Sequence, residues 1–316
     1  MAKPTPDLWI GIDVGKAELV VDDGHTVAPL PNRTAAIRAW LERLPGRACI
    51  AVEATGTFYR QVLGLAHAAG HRLFVIDGLR LNRYRDSIGG RAKTDRTDAQ
   101  LLRRYLMREH HDLRPWTPPP AGYESVQRLL RRRAKLVKAR TQLRQSLADL
   151  PELHGATRDL FAKLGRLIAQ LERLLQQAAR QASLPVQTLT QVEGLGPLTA
   201  TALANSYQRG PFSRSDAFIA FLGLDVRVRD SGRCRGRRKL TKQGDPELRR
   251  LLYNAAMAAS RSERWKPVYQ RHLDRGLSRI QSLVVLARKL ARIAFALLKS
   301  GDCYRPRPSG ERCLAT

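Results

Sequence analysis

An acid at the end of a short apolar run is the feature that most restricts how this chain can fold. Trp9-Ile10-Gly11-Ile12-Asp13-Val14-Gly15 is one such run, and Cys49-Ile50-Ala51-Val52-Glu53-Ala54-Thr55-Gly56 is a second of the same design. Compact β-rich runs of this length read as buried strands. A carboxylate inside one must reach a polar partner or be neutralised, because burying an unpaired charge is costly. Both acids are explained at once if neighbouring strand ends bring Asp13 and Glu53 together, where their mutual repulsion calls for cations. Taken singly, Asp13 also fits a turn residue before Gly15, whereas Glu53 has no local backbone role at a strand end.

The surrounding pattern predicts an α/β domain followed by all-α segments. Trp9–Val14 and Leu19–Val21 suit a hairpin, with Thr26–Leu30 as a third strand. Asn32 is positioned to cap a helix through Leu44, with Ile37, Trp40, Leu41 and Leu44 on one face. A helix over Tyr59–Ala69 and a strand over Arg72–Ile76 follow the Glu53 strand. The predicted division is residues 1–114 as the α/β domain, 115–188 as a proline linker with coiled-coil helices, 189–300 as a mainly helical domain, and 301–316 as a loose basic tail. Arg114-Pro115-Trp116-Thr117-Pro118-Pro119-Pro120 is stiff because proline fixes φ and removes backbone donors.

From Tyr123 to Gln181 the chain reads as helix, broken near Pro151 and Gly155. Leu129, Leu136, Leu143 and Leu150 recur every seven residues, and Phe161, Leu164, Ile168, Leu171 and Leu175 alternate three and four. Those spacings fit a hairpin within one chain and a dimerisation arm equally well. Further on, Leu283, Leu286, Ala287, Leu290, Ile293, Ala294 and Leu297 form one helix face, with Arg288, Lys289 and Arg292 opposite.

The chain carries 56 Lys and Arg against 28 Asp and Glu, a net charge of +28. That excess favours a polyanionic partner. No apolar stretch is long enough to span a membrane, and Met1–Pro6 lacks the apolar core of a signal peptide. Cys49, Cys234, Cys303 and Cys313 show no paired spacing, which argues against a zinc site or a disulfide framework and for a reducing cytoplasm.

Scarce acids in strand patterns suggest a metal-binding role. Asp95 and Asp98, in Lys93-Thr94-Asp95-Arg96-Thr97-Asp98-Ala99, are three apart and share a helix face. With Asp13 and Glu53 they could hold Mg²⁺ through oxygen ligands for phosphoryl displacement. Taken alone, Asp95 is better explained as a helix cap or as a first-turn acid favoured by the helix dipole than as a metal ligand.

A basic loop, Arg227-Val228-Arg229-Asp230-Ser231-Gly232-Arg233-Cys234-Arg235-Gly236-Arg237-Arg238-Lys239, surrounds Ser231 with cations that would offset phosphate charge. Composition alone favours a simpler reading, a flexible loop touching nucleic-acid backbone. Lys242 extends the basic set. Gly194 and Gly196, in Val192-Glu193-Gly194-Leu195-Gly196-Pro197, form a helix–hairpin–helix-like turn whose N–H groups suit a phosphate; an ordinary interhelix turn explains them as well.

At these residues the chain resembles the DEDD-type transposases of bacterial mobile elements, the insertion sequence 110 family, with pilin-gene invertases as relatives. The matching segments run in order from Gly11-Ile12-Asp13-Val14-Gly15-Lys16 through Val52–Thr57, Lys93–Ala99, Glu193–Gly196, Phe218–Leu224 and Asp230-Ser231-Gly232 to Leu240–Gly244 and Leu248–Leu252. The resemblance implies a RuvC-like, ribonuclease-H-type N-terminal domain. Asp13, Glu53, Asp95 and Asp98 would be its Mg²⁺-binding tetrad, and Ser231 a nucleophile that forms a phosphoserine link to DNA. It also implies a coiled-coil used in oligomerisation, a dimer assembling to a tetramer, and a bridge RNA pairing with donor and target DNA. Arg227, Arg229, Arg233, Arg235, Arg237, Arg238, Lys239, Lys242, Gly194 and Gly196 are the expected nucleic-acid contacts. The competing readings are a junction-resolving nuclease, a non-catalytic nucleic-acid-binding scaffold, and an ATPase sharing the Gly11–Gly15 motif.

Overall fold

The computed structural model describes residues 8–54, 56–89, 94–227, 230–231, 234–235 and 238–305, with only the backbone described at 230–231 and 234–235. The chain divides into two compact units, Met1–Pro118 and Pro119–Thr316.

The first unit is a five-stranded sheet in the order β3-β2-β1-β4-β5. Strands β1 (Leu8–Val14), β2 (Glu18–Asp22) and β3 (Val27–Pro31) form an antiparallel meander. Strands β4 (Ala48–Glu53) and β5 (Arg72–Ile76) add in parallel on the other side of β1. The parallel steps need crossovers, supplied by α1 (Thr34–Glu42) and α2 (Tyr59–Ala68). Alternation along the strands sorts side chains to two faces. Ile10, Ile12, Ile50 and Val52 pack with Ile37, Leu41, Val62 and Leu63 of α1 and α2. Ala51, Phe74 and Ile76 pack with Leu81, Leu102 and Leu106 of two further helices, α3 (Gly78–Ser87) and α4 (Asp95–Glu109).

Helix α3 is not among the elements expected from the sequence; Asp77 caps it by accepting from the Leu79 and Arg80 amides. Asn32 does not cap α1. Its amide group donates to the Gly15 carbonyl at 2.9 Å, tying the β1–β2 turn, and Arg33 takes the cap position without a side-chain bond. Asp95 is likewise not the cap of α4. Thr94 fills that role in a reciprocal capping box with Thr97, leaving Asp95 and Asp98 in the first turn. Within the proline segment, the Trp116 amide donates to Leu73 of β5 at 2.7 Å, and its ring joins the α1–α2 face.

The second unit begins with α5 (Tyr123–Ser146) and α6 (His154–Gln181), which pair as a hairpin. The break between them is a 3₁₀ turn opened by Pro151; Gly155 lies within α6, not at the break. Phe161, Leu164, Ile168, Leu171 and Leu175 are all at least half-buried, as their spacing predicts. Arg133, which interrupts the leucine stripe of α5, bridges to Glu172 of α6 at 2.7 Å. The base of the hairpin shares a core with α7 (Val186–Thr190), α8 (Pro197–Tyr207), α9 (Ser215–Phe221), α10 (Pro246–Ala259), α11 (Lys266–Asp274) and α12 (Arg279–Ser300). The predicted α12 face is buried except at Ile293, which is half-buried. Between α9 and α10 lie two nested two-stranded ladders, β6 (Val226–Arg227) with β9 (Lys239–Leu240), and β7 (Asp230–Ser231) with β8 (Cys234–Arg235).

Candidate metal centre and serine hairpin

The register of the first unit builds the acid cluster. Ile12 of β1 lies beside Val52 of β4, so one step further Asp13 and Glu53 sit side by side at the carboxyl ends of parallel strands. Asp98 comes from the first turn of α4, which crosses β1 in backbone contact. Gly11 permits that crossing, since a Cβ there would collide with the Ala99 carbonyl and approach the Arg103 amide nitrogen to 2.5 Å. Gly78, at the start of α3, leaves room for Glu53, whose carboxylate oxygen occupies the place a Cβ would take.

Asp13, Glu53 and Asp98 each offer an oxygen within 4.8 Å of the others. Asp98 is buried, Asp13 and Glu53 are half-buried, and Asp95 is exposed and outside this group. Burial first, then the charges of Asp95 and Asp98, push the Asp13 carboxyl up to about 6, with Glu53 adding a smaller push and the Val14 amide opposing them. Mutual repulsion at this spacing is what a hard divalent cation relieves, and all-oxygen donors suit Mg²⁺. The donor set therefore fits such an ion.

Arg85 completes the cluster and was not foreseen from the sequence. Its guanidinium, 10% exposed, donates to Asp98 Oδ1 at 2.5 Å, and its other nitrogen donates to Asn82 at 2.7 Å. One oxygen of Asp98 is thereby engaged while the other remains for a cation. The 3–4 spacing of Leu81, Tyr84 and Ile88 was the signal that could have revealed α3 and hence Arg85.

In the second unit, Ser231 lies on β7, paired with Cys234 across the inner ladder. The base of this hairpin is closed tightly. Thr241 donates through its hydroxyl to the Asp225 carboxylate and through its amide to the Asp225 carbonyl at 3.0 Å. Gly223 (φ +68°) and Gly244 pass in backbone contact, and Arg249 donates to the Gly244 carbonyl at 2.8 Å. The Phe218–Leu224 and Leu240–Gly244 segments thus meet to frame the serine hairpin. Of the expected nucleic-acid contacts, Arg227, Arg238, Lys239 and Lys242 are exposed. Arg229, Arg233 and Arg237 lie outside the described residues, as do the side chains of Ser231 and Arg235. Gly194 (φ +92°) has a packing role, since a Cβ there would reach the Ala255 carbonyl at 2.5 Å. Gly196, by contrast, faces open space at the start of α8.

Residues 10–150 match a family model of DEDD transposases of the IS110 type, described as a transposase. Residues 186–270 match a model described as transposase, IS116/IS110/IS902 family. A pilin gene-inverting protein of Moraxella bovis is 27% identical over 270 residues, covering 81% of each chain. A probable family 20 transposase of Pseudomonas aeruginosa is 29% identical over 345 residues, covering 94% of this chain and 98% of the relative. A transposase for insertion sequence element IS1111A of Coxiella burnetii is 28% identical over 256 residues, covering 67% of this chain and 68% of its own.

Proposed function

We propose a strand-exchange mechanism for this chain, which belongs to the IS110 family of DEDD transposases, enzymes that cleave and rejoin DNA strands. The observation that carries the proposal is the convergence of Asp13, Glu53 and Asp98 within 4.8 Å. The first unit is then a ribonuclease-H-type domain of the RuvC kind, supported by its meander-plus-parallel sheet order. Asp13, Glu53 and Asp98 hold Mg²⁺, with Asp95 adding negative charge at the rim. Bound there, Mg²⁺ supplies charge neutralisation at the scissile phosphate. Arg85 orients Asp98 through its guanidinium contact.

Ser231 is the nucleophile. Its Oγ attacks phosphorus, an O–P bond to serine forms, the bond to one DNA oxygen breaks, and that oxygen leaves with a proton as a hydroxyl. A hydroxyl of the second DNA reverses the step and frees the serine. The braced base formed by Asp225, Thr241 and Gly244 supports presentation of that residue.

Two features support the wider reading. The net charge of +28 suits binding of a structured guide RNA together with donor and target DNA, with base pairing choosing the sites. Leu160, Leu167 and Leu174 recur every seven residues along α6, in register with Leu153 just before it, and the four remain 42%, 44%, 45% and 40% exposed after α5 has packed. A second seam of this kind suits a homo-oligomer.

The test is strand exchange on a plasmid carrying an element junction and its target, with Mg²⁺. Asp13→Asn and Ser231→Ala should each abolish product while nucleic-acid binding persists. A denaturation-resistant protein–DNA adduct should form with the native chain and not with Ser231→Ala. Recombination by Ser231→Ala would sink the nucleophile assignment.

A further inference from the structure

Helix α4 presents a second surface that the acid cluster does not use. Its buried side faces the sheet, and its outer side carries Arg96, Arg104 and Arg108, all exposed. Among the described residues, none of these three forms an ion pair. The row starts beside Asp95 at the rim of the acid cluster and runs to the far end of the helix. From Arg96 to Arg108 the helix rises about 18 Å at 1.5 Å per residue. That is roughly the length of five nucleotides along one strand of duplex DNA at 3.4 Å each.

The row ends in a cavity of about 450 Å³ between α4 and the β2–β3 turn, lined by Arg103, Arg104, Arg108, His25 and Thr26. Its walls are fixed. Buried Asp22 accepts from Arg103 at 2.9 Å and from the Gly24 amide at 2.9 Å. Asp23 accepts from the His25 and Thr26 amides, ordering the turn. Gly24 (φ +94°) leaves space for Arg103, whose Nη1 would lie 2.9 Å from a Cβ there. Asp22 is therefore neutralised within the wall, and the net character left to the cavity is that of Arg104 and Arg108. Guanidinium groups without acidic partners among the described residues, at the edge of a preformed recess, suit phosphate oxygens.

We propose that the outer face of α4 and this cavity form a docking track for the phosphate backbone of duplex DNA, leading one strand toward the acid cluster. Only the direction of the strand rests on the catalytic reading above; the docking itself does not.

The test uses the full chain and a fluorescent 30-base-pair duplex of arbitrary sequence, with affinity measured in EDTA across a NaCl series. EDTA removes any role of metal or cleavage, so failure of the catalytic reading leaves this result intact. Arg104→Gln/Arg108→Gln should lower the magnitude of the slope of log K against log[NaCl] by about 2, close to 0.9 per phosphate contact. Arg38→Gln/Arg43→Gln, a charge-matched pair on and beside α1 across the sheet, should leave the slope nearly unchanged. Equal losses from the two pairs, or no loss from the first, would overturn the track. A loss confined to an RNA hairpin probe would overturn its assignment to DNA.

Discussion

Gly11→Ala tests whether the acid cluster depends on backbone contact between β1 and α4. The Cβ would sit 2.5 Å from the Arg103 amide nitrogen and closer still to the Ala99 carbonyl oxygen. Ordinary contact to a carbon is about 3.5 Å, so α4 must retreat by at least about 1 Å. Overpacking of this kind costs about 1–3 kcal/mol. The same movement carries Asp98 away from Asp13 and Glu53, and a displacement of about 1 Å is worth up to ~100-fold in rate. Gly64→Ala is the matched control. It lies mid-helix in α2, a Cβ there meets nothing within 4 Å, and alanine should stabilise by about 0.5–1 kcal/mol. Urea unfolding reports the stability change, Mn²⁺ titration the metal affinity, and plasmid strand exchange the activity. A folded Gly11→Ala protein with native Mn²⁺ affinity and native activity would show that the helix–strand approach does not set the cluster.

The remaining predictions concern the same two sites and α6. Arg85→Met should destabilise by about 3–5 kcal/mol, because it strands a buried carboxylate; Arg85→Met/Asp98→Asn should recover part of that in urea unfolding. The raised Asp13 pKa gives the metal-free protein a stability contribution present below pH 3.8 and lost as pH rises through about 6. The full shift corresponds to about 3 kcal/mol, and the group's exposure reduces it to about 1; Asp13→Asn should remove this slope from a pH series of unfolding curves, and Mn²⁺ affinity should weaken as pH falls through 6. Leu160→Glu/Leu167→Glu should lower the molecular mass seen by light scattering without lowering unfolding stability by more than about 1 kcal/mol, because both side chains are solvent-exposed within the chain. Thr241→Val should leave DNA affinity unchanged and slow strand exchange at least tenfold, measured in single turnover, since it unties the hairpin base and not a DNA contact.

The legible part of this fold was its periodicity. Strands β1, β4 and β5 are short apolar runs, and α6 and α12 carry their three-and-four spacing openly, so their buried faces could be read, although the spacing of α6 left open whether its partner is α5 or a second copy of the chain. Asp13 and Glu53 were legible for the same reason, as charges placed where the pattern demands apolar residues. Helix α3 was not, because Gly78–Ser87 is dominated by charged and polar residues and buries only Leu81 and Arg85. With α3 went Arg85, whose partner lies 13 residues away and is brought near by the packing of α3 against α4. Asn32 misled for a different reason. A cap residue can bond locally or across a turn, and here the Gly15 carbonyl, 17 residues back, offered the shorter route.

The acid motif and its glycines are parts of one device. Two carboxylates on adjacent parallel strands are delivered by register alone, but the third must arrive on a helix, and a helix normally rests a side-chain layer, 8–10 Å between axes in helix pairs, away from what it packs against. Gly11 removes that layer where α4 crosses β1, and Gly78 removes it where α3 begins beside Glu53. The contact brings Asp98 within 4.8 Å of acids that a layer of side chains would otherwise hold apart. It also fixes α4 along its length, since the same crossing that sets Asp98 turns Arg96, Arg104 and Arg108 outward. Chemistry at one end of the helix and charge along its back are therefore set by a single missing methyl, which is why the Gly-Ile-Asp sequence of β1 carries more structural information than its acid alone.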